Sequence, residues 1–118
     1  MSDVTEAQDV TVQAVTMHAV TVQAIIVPRP EHVQDVQREM LRMVAVSRQE
    51  EGCLSYDLLQ GEQNGTLRLH VQERYTSMDA VQAHRDSEHY RAYRAKAGGW
   101  LASAPQVTVL HDVDVAEK

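Results

Sequence analysis

The stretch Leu54–Tyr75, LSYDLLQGEQNGTLRLHVQERY, decides the fold. Its second half sets Leu67, Leu69 and Val71 against Arg68, His70 and Gln72. That alternation is the period of a strand with one buried face. Its first half, Leu54–Gln60, reads as another strand. Gly61-Glu62-Gln63-Asn64-Gly65 lies between them and contains an Asn-Gly pair, a strong short-range sign of a hairpin. An antiparallel pair therefore occupies the middle of the chain.

Working outward from it, Val20–Val27 is short, β-branched and stopped by Pro28-Arg29-Pro30, so it reads as a strand. Glu31–Glu50 places Val33, Val36, Met40, Met43 and Val44 at helical spacing. Glu31 and Asp35 lie near its start, where the helix dipole favours acids, and Gly52 ends it. Ser77 has the chemistry to cap a short helix through His84. Ser87 caps a second one running to Gly98-Gly99, and Gln106–Val113 is the last strand. The order is β-α-β-β-α-β with its second helix broken in two. That is an α+β, ferredoxin-like antiparallel sheet with helices on one side. Val22 and Ile26 alternate with Ile25 and Val27, which predicts apolar groups on both sheet faces. The uncovered face then calls for a second copy, in a homodimer.

The chain has 118 residues, the size of one domain. We read 1–19 as an N-terminal arm, 20–113 as the folded domain and 114–118 as a tail. TVQA occurs at Thr11–Ala14 and again at Thr21–Ala24, too short a duplication for a solenoid. Met1–Asp9 is expected to be loosely held, and Val10–Ala19 is β-branched enough to pair with a sheet edge. Met17 is a candidate alternative start. The net charge of −6 argues against nucleic acid as the partner. No apolar run is long enough for a membrane span, and MSDVTEAQDV does not read as a secretory signal. Cys53 is the single cysteine, so no internal disulfide or thiolate cluster can form. A cytoplasmic protein acting on a small molecule is expected.

Some side chains stand out chemically. His84 shares a helix turn with Ala80 and Val81, so it should point at the sheet, either as a proton-transfer group or as a buried hydrogen-bonding one. Glu73 continues the apolar row of the third strand. It either pairs with Arg38 or Arg42 of the first helix or holds His84 in one tautomer. Tyr56, Tyr90 and Tyr93 are core residues or the walls of a site for a planar substrate, with His89 beside the last two. Trp100 should seal the core or a dimer contact. Cys53 packs as a small hydrophobe. Arg85, Arg91, Arg94 and Lys96 interleave with Asp86 and Glu88, the pattern of a solvated helix face. His18, His32, His70 and His111 show no ligand spacing, so no metal site is expected. The adjacent glycines Gly98-Gly99 end a helix instead of opening one, which predicts no flavin or nicotinamide cofactor.

Three segments together are similar to one family. EEGCLSYDLLQ at Glu50–Gln60, VQERY at Val71–Tyr75 and AVQAHRDSEHYRAY at Ala80–Tyr93 resemble the antibiotic biosynthesis monooxygenase domain. Its pattern runs E-x-G-C-x-x-Y, E-x-W/Y, A-H-x-x-S/T-x-H-aromatic, and the resemblance spans about 20–113. It implies a dimeric α+β barrel. It also implies a reaction drawn from quinol monooxygenation, anthrone monooxygenation, haem degradation or isomerisation of phosphorylated autoinducer-2. Haem-degrading members carry a first-strand asparagine, a tryptophan and a ligating histidine; Gln23 or Ala24, His84 and Arg94 stand there instead. The same comparison weakens the anthrone branch. The quinol and isomerase branches carry proline where Glu88 stands.

The leading expectation is a cofactor-independent monooxygenase of a small electron-rich aromatic such as a quinol, with His84 and Glu73 catalytic. Tyr56, Tyr90, His89 and Gln23 are its expected substrate contacts. One alternative is an isomerase of a small hydroxyketone or sugar-like phosphate using the same pair, which arginines lining the site would favour. A non-catalytic ligand-binding dimer is the other.

Overall fold

The central hairpin is built as the sequence pattern dictates, from β2 (Cys53–Gln63) and β3 (Thr66–Tyr75). Its turn is only Asn64-Gly65, with φ of 53° and 78°. Both values are positive, the left-handed pair that matches the twist of the flanking strands. The structure, a computed structural model, describes residues 18–116. Met17, the Thr11–Ala14 repeat and almost all of the expected arm lie outside the described residues.

β1 (Val20–Ile26) pairs with β3 on one side and with β4 (Gln106–His111) on the other, giving a four-stranded antiparallel sheet in the order β2-β3-β1-β4. α1 (Val33–Ser47) crosses one face, followed there by α2 (Met78–Asp86) and α3 (Glu88–Ala97). The expected α+β order is correct, including the break between the last two helices. Ser77 accepts from the Ala80 N–H and Ser87 from the Tyr90 N–H, so each serine caps its helix. Element ends differ slightly. Pro30–His32 forms a 3₁₀ turn before α1, and Gly98–Trp100 adds another after α3 instead of stopping the chain. β4 ends at His111, short of Val113.

Register sets which residues face the helices. Val22 pairs with Glu73, Ala24 with Val71 and Ile26 with Leu69, all on the covered face. β2 changes register between Cys53 and Ser55. This extra residue shifts the strand's parity, so Tyr56 rather than Ser55 turns inward beside Glu73. Val36, Met40, Met43 and Val44 of α1 close over that face. Met40 and Leu69 are both 1% exposed, and burying each contributes about 1.5–3 kcal/mol.

The opposite face corrects the expectation of a sheet apolar on both sides. Thr21, Gln23, His70, Gln72 and Thr108 alternate with the buried set, leaving Ile25, Leu59 and Leu110 as the apolar members. Val27 lies beyond β1, where its carbonyl accepts from the Ala102 N–H. Arg74 crosses this face to Thr21 and makes a two-pronged ion pair with Asp112, at 3.0 and 2.7 Å. Trp100 stacks on His32 at 5.6 Å, covering the end of α1. Among the described residues, no helix is long and apolar enough to cross a membrane.

Candidate active site

Gly52 explains how the site is assembled. Its carbonyl accepts from the Thr76 N–H, and a Cβ on it would collide with the Ala80 side chain. Only glycine lets the loop after α1 lie this close to α2. The contact brings Glu50 beneath the last turn of α2. Val81 and His84, three apart on that helix, are 1% and 3% exposed.

Glu50 holds His84 from behind. Its Oε2 and Oε1 lie 2.8 and 3.1 Å from His84 Nδ1. A carboxylate only accepts, so Nδ1 carries the proton and Nε2 is the free, basic nitrogen. The extended backbone of Ser87 then reverses the chain, and His89 returns to the same carboxylate, Nε2 to Oε2 at 2.5 Å. Glu50, His84 and His89 offer three ligand atoms within 4.8 Å of one another. They can take a divalent ion only by giving up these hydrogen bonds. The four histidines weighed in the sequence do not reach this cluster.

His84 Nε2 faces Glu73, whose Oε1 is 3.8 Å away, beyond hydrogen-bond length. Glu73 instead accepts from the Tyr75 hydroxyl at 2.5 Å. The expected ion pair of Glu73 with a first-helix arginine does not form: Arg38 pairs with Asp35 and Arg42 with Glu39. The expectation that Glu73 fixes the tautomer is also corrected, because Glu50 does so. Rings of Tyr56, Tyr75 and Tyr90 surround the imidazole at centroid distances of 5.6, 5.5 and 5.1 Å.

Tyr56, Glu73, His84 and Tyr90 line a cavity of about 230 Å³ between the helices and the sheet. Its walls are Val22, Ala24 and Ile26 of β1, Met40 and Met43 of α1, and Tyr90 and Tyr93 of α3, with Arg85 and Arg94. The volume is below the roughly 300–1,000 Å³ of drug-sized sites, so it suits a small ligand. Burial raises the Tyr56 hydroxyl strongly and pushes that of Tyr93 up to about 12, so both remain donors at neutral pH. Burial likewise pushes the Cys53 thiol up to about 11, leaving it neutral.

Burial also raises Glu73, against the opposing pull of the Tyr75 hydrogen bond and of His84. With a raised pKa the folded state binds the proton more tightly than the unfolded chain. Its contribution to stability is therefore full below the ordinary carboxylate range and is lost as pH rises through the raised value. Glu73→Gln keeps an acceptor for Tyr75 and cannot ionise. It should melt above the wild type at pH 8 and show no such advantage at pH 4. An equal gain at both pH values would mean Glu73 carries no raised pKa.

The sequence pattern of the antibiotic biosynthesis monooxygenase family matches residues 19–96. The chain belongs to this family. It is 40% identical over 90 residues to Rv0793 of Mycobacterium tuberculosis, covering 76% of this chain and 87% of that one. The structure of Rv0793 superposes with a TM-score of 0.78 at 38% identity, over 84% of this chain and 99% of the other. PA3566 of Pseudomonas aeruginosa gives a TM-score of 0.74 at 27% identity, over 84% and 98%.

Within this member of the antibiotic biosynthesis monooxygenase family, the fold brings His84, Glu73, Tyr56 and Tyr90 to one cavity. Two expected substrate contacts lie elsewhere. Gln23 is on the opposite sheet face, because Val22 and Ala24 take the inward positions of β1. His89 is engaged by Glu50 and Ser87 outside the cavity lining. Sequence reading gave no role to Glu50, although the Glu50-Glu51-Gly52 spacing was visible. Arg85 and Arg94, read as part of a solvated face, line the cavity.

Proposed function

We propose that this protein is a monooxygenase of a small electron-rich aromatic such as a quinol, with His84 as the base. The observation that carries the reading is a buried imidazole, Nδ1 held by Glu50, set among tyrosine rings on the wall of an apolar cavity. Nε2 takes the phenolic proton, and the Tyr56 hydroxyl, on the same wall, is the donor for the anion. The deprotonated quinol then supplies the electrons to O₂. One oxygen atom enters a ring C–H bond, giving a hydroxyquinone, and the other leaves as water. Quinol oxidation and ring hydroxylation together provide the four electrons this requires. Rv0793 is provisionally named a monooxygenase, which supports the reaction class and leaves the substrate open.

Menadiol under ¹⁸O₂ tests the proposal. Enzyme-dependent formation of 2-hydroxy-3-methyl-1,4-naphthoquinone carrying one ¹⁸O is expected. Product forming no faster than in buffer, for menadiol and for unsubstituted naphthalene-1,4-diol alike, would end it. The cavity arginines favour a second reading, isomerisation of a small phosphorylated hydroxyketone with His84 moving a proton between adjacent carbons. The assembly belongs to the proposal as well. We propose a homodimer formed through the open sheet face, where Leu59 and Leu110 are 47% and 39% exposed. Light scattering at a monomer's mass, independent of concentration, would refute it.

A further inference from the structure

We infer that the ligand of this cavity carries an anionic group, a carboxylate or a phosphate, held between Arg85 and Arg94. The inference rests on the proposed aromatic site and names the class of substrate it takes. Both arginines line the cavity, and neither forms an ion pair with a described residue. Elsewhere Arg38, Arg42, Arg48 and Arg74 each meet a carboxylate, while Arg29, Arg68 and Arg91, like the cavity pair, form no ion pair among the described residues. In a chain of net charge −6, two unpaired guanidinium groups at one cavity stand apart from the prevailing charge. Arg94 lies 6.0 Å from the Tyr90 ring centroid, close enough for a cation–π contact that holds it near the cavity without neutralising it.

Tyr93 contributes its ring to the same cavity wall, its hydroxyl being closed off from the open space. Glu73 is the acidic residue of the lining, and its burial favours the neutral carboxyl, so it would repel an anion weakly. Guanidinium groups bind carboxylate and phosphate through paired N–H donors. A cavity of about 230 Å³ is small enough for one ligand to meet His84 with a hydroxyl and the arginines with its charge.

Calorimetric titration of the full chain with 1-naphthol, 1-hydroxy-2-naphthoate, 1-naphthyl phosphate and glycerol 3-phosphate tests this. At least one of the two naphthyl acids should bind about 10-fold or more tightly than 1-naphthol, the scale of one charge-assisted hydrogen bond. The advantage should vanish in the Arg85→Gln/Arg94→Gln double variant, and each single variant should lose part of it. 1-Naphthol binding as tightly as both acids would overturn the anion site and leave the aromatic reading standing. An acid preference that survives in the double variant would also overturn it. Arginine-dependent binding of glycerol 3-phosphate with no binding of any naphthyl compound would support the anion site while removing the aromatic reading. If no probe bound, both would fall.

Discussion

His84→Asn should lower oxygenation of a quinol about 10²–10⁴-fold, the usual loss when a general base is removed. Asparagine is the informative replacement because its side-chain N–H₂ occupies the place of Nδ1 and can still donate to Glu50. Only the Nε2 position, the one facing Glu73 and the cavity, disappears. The fold should survive, since the Glu50 contact is kept and the lost atoms amount to part of one ring. A melting temperature close to wild type with turnover near background is the expected pair of results. His84→Ala would be a poorer test, because it vacates a site 3% exposed and strands the buried side of Glu50. If His84→Asn turned over quinol like wild type, proton removal would have to come from elsewhere. Glu73 would then be the next group to consider, as it is the other acid–base residue on that wall.

Much of the fold was legible because its signals are local. Alternation in Thr66–Tyr75, the Asn64-Gly65 turn and the serine caps each act within a few residues of where they are written. The sheet's outer face was misjudged from one strand. Ile25 made β1 look apolar on both sides, yet its neighbours across the ladder, His70 and Gln106, are polar. Face character belongs to paired strands, and pairing is not written in any one of them. The site divides the same way. Glu73 and His84 were readable from strand and helix period, which fix direction. Glu50 was not, because it reaches His84 across 34 residues of chain through a loop shaped by the Gly52–Ala80 approach. Tyr56 turns inward through a register change that no periodicity announces. Gln23 fails by parity, one residue away from two inward neighbours.

Glu50→Gln should lower kcat by about 10–100-fold, the typical cost of losing a carboxylate that orients an imidazole. Each tenfold corresponds to about 1.4 kcal/mol. Glu50 is outside the cavity lining, so KM for a quinol should change little. The expected cause is a change of tautomer. An amide can turn its N–H₂ toward Nδ1, which then becomes the acceptor, while the proton moves to Nε2 and the basic nitrogen is lost from the cavity. His89 adds to this, because Glu50 currently accepts from both imidazoles and a single amide oxygen cannot be shared as readily. A merely structural role for Glu50 would lower the melting temperature and leave the tautomer alone. Nitrogen chemical shifts of His84 separate the two, since a protonated and an unprotonated ring nitrogen resonate far apart. The proton should sit on Nδ1 in the wild type and on Nε2 in the variant, with kcat falling in step. A variant whose proton moves to Nε2 but whose kcat is unchanged would show that Nε2 is not the base. His89→Ala leaves the Glu50–His84 bond intact, so it should keep the wild-type tautomer and most of the activity.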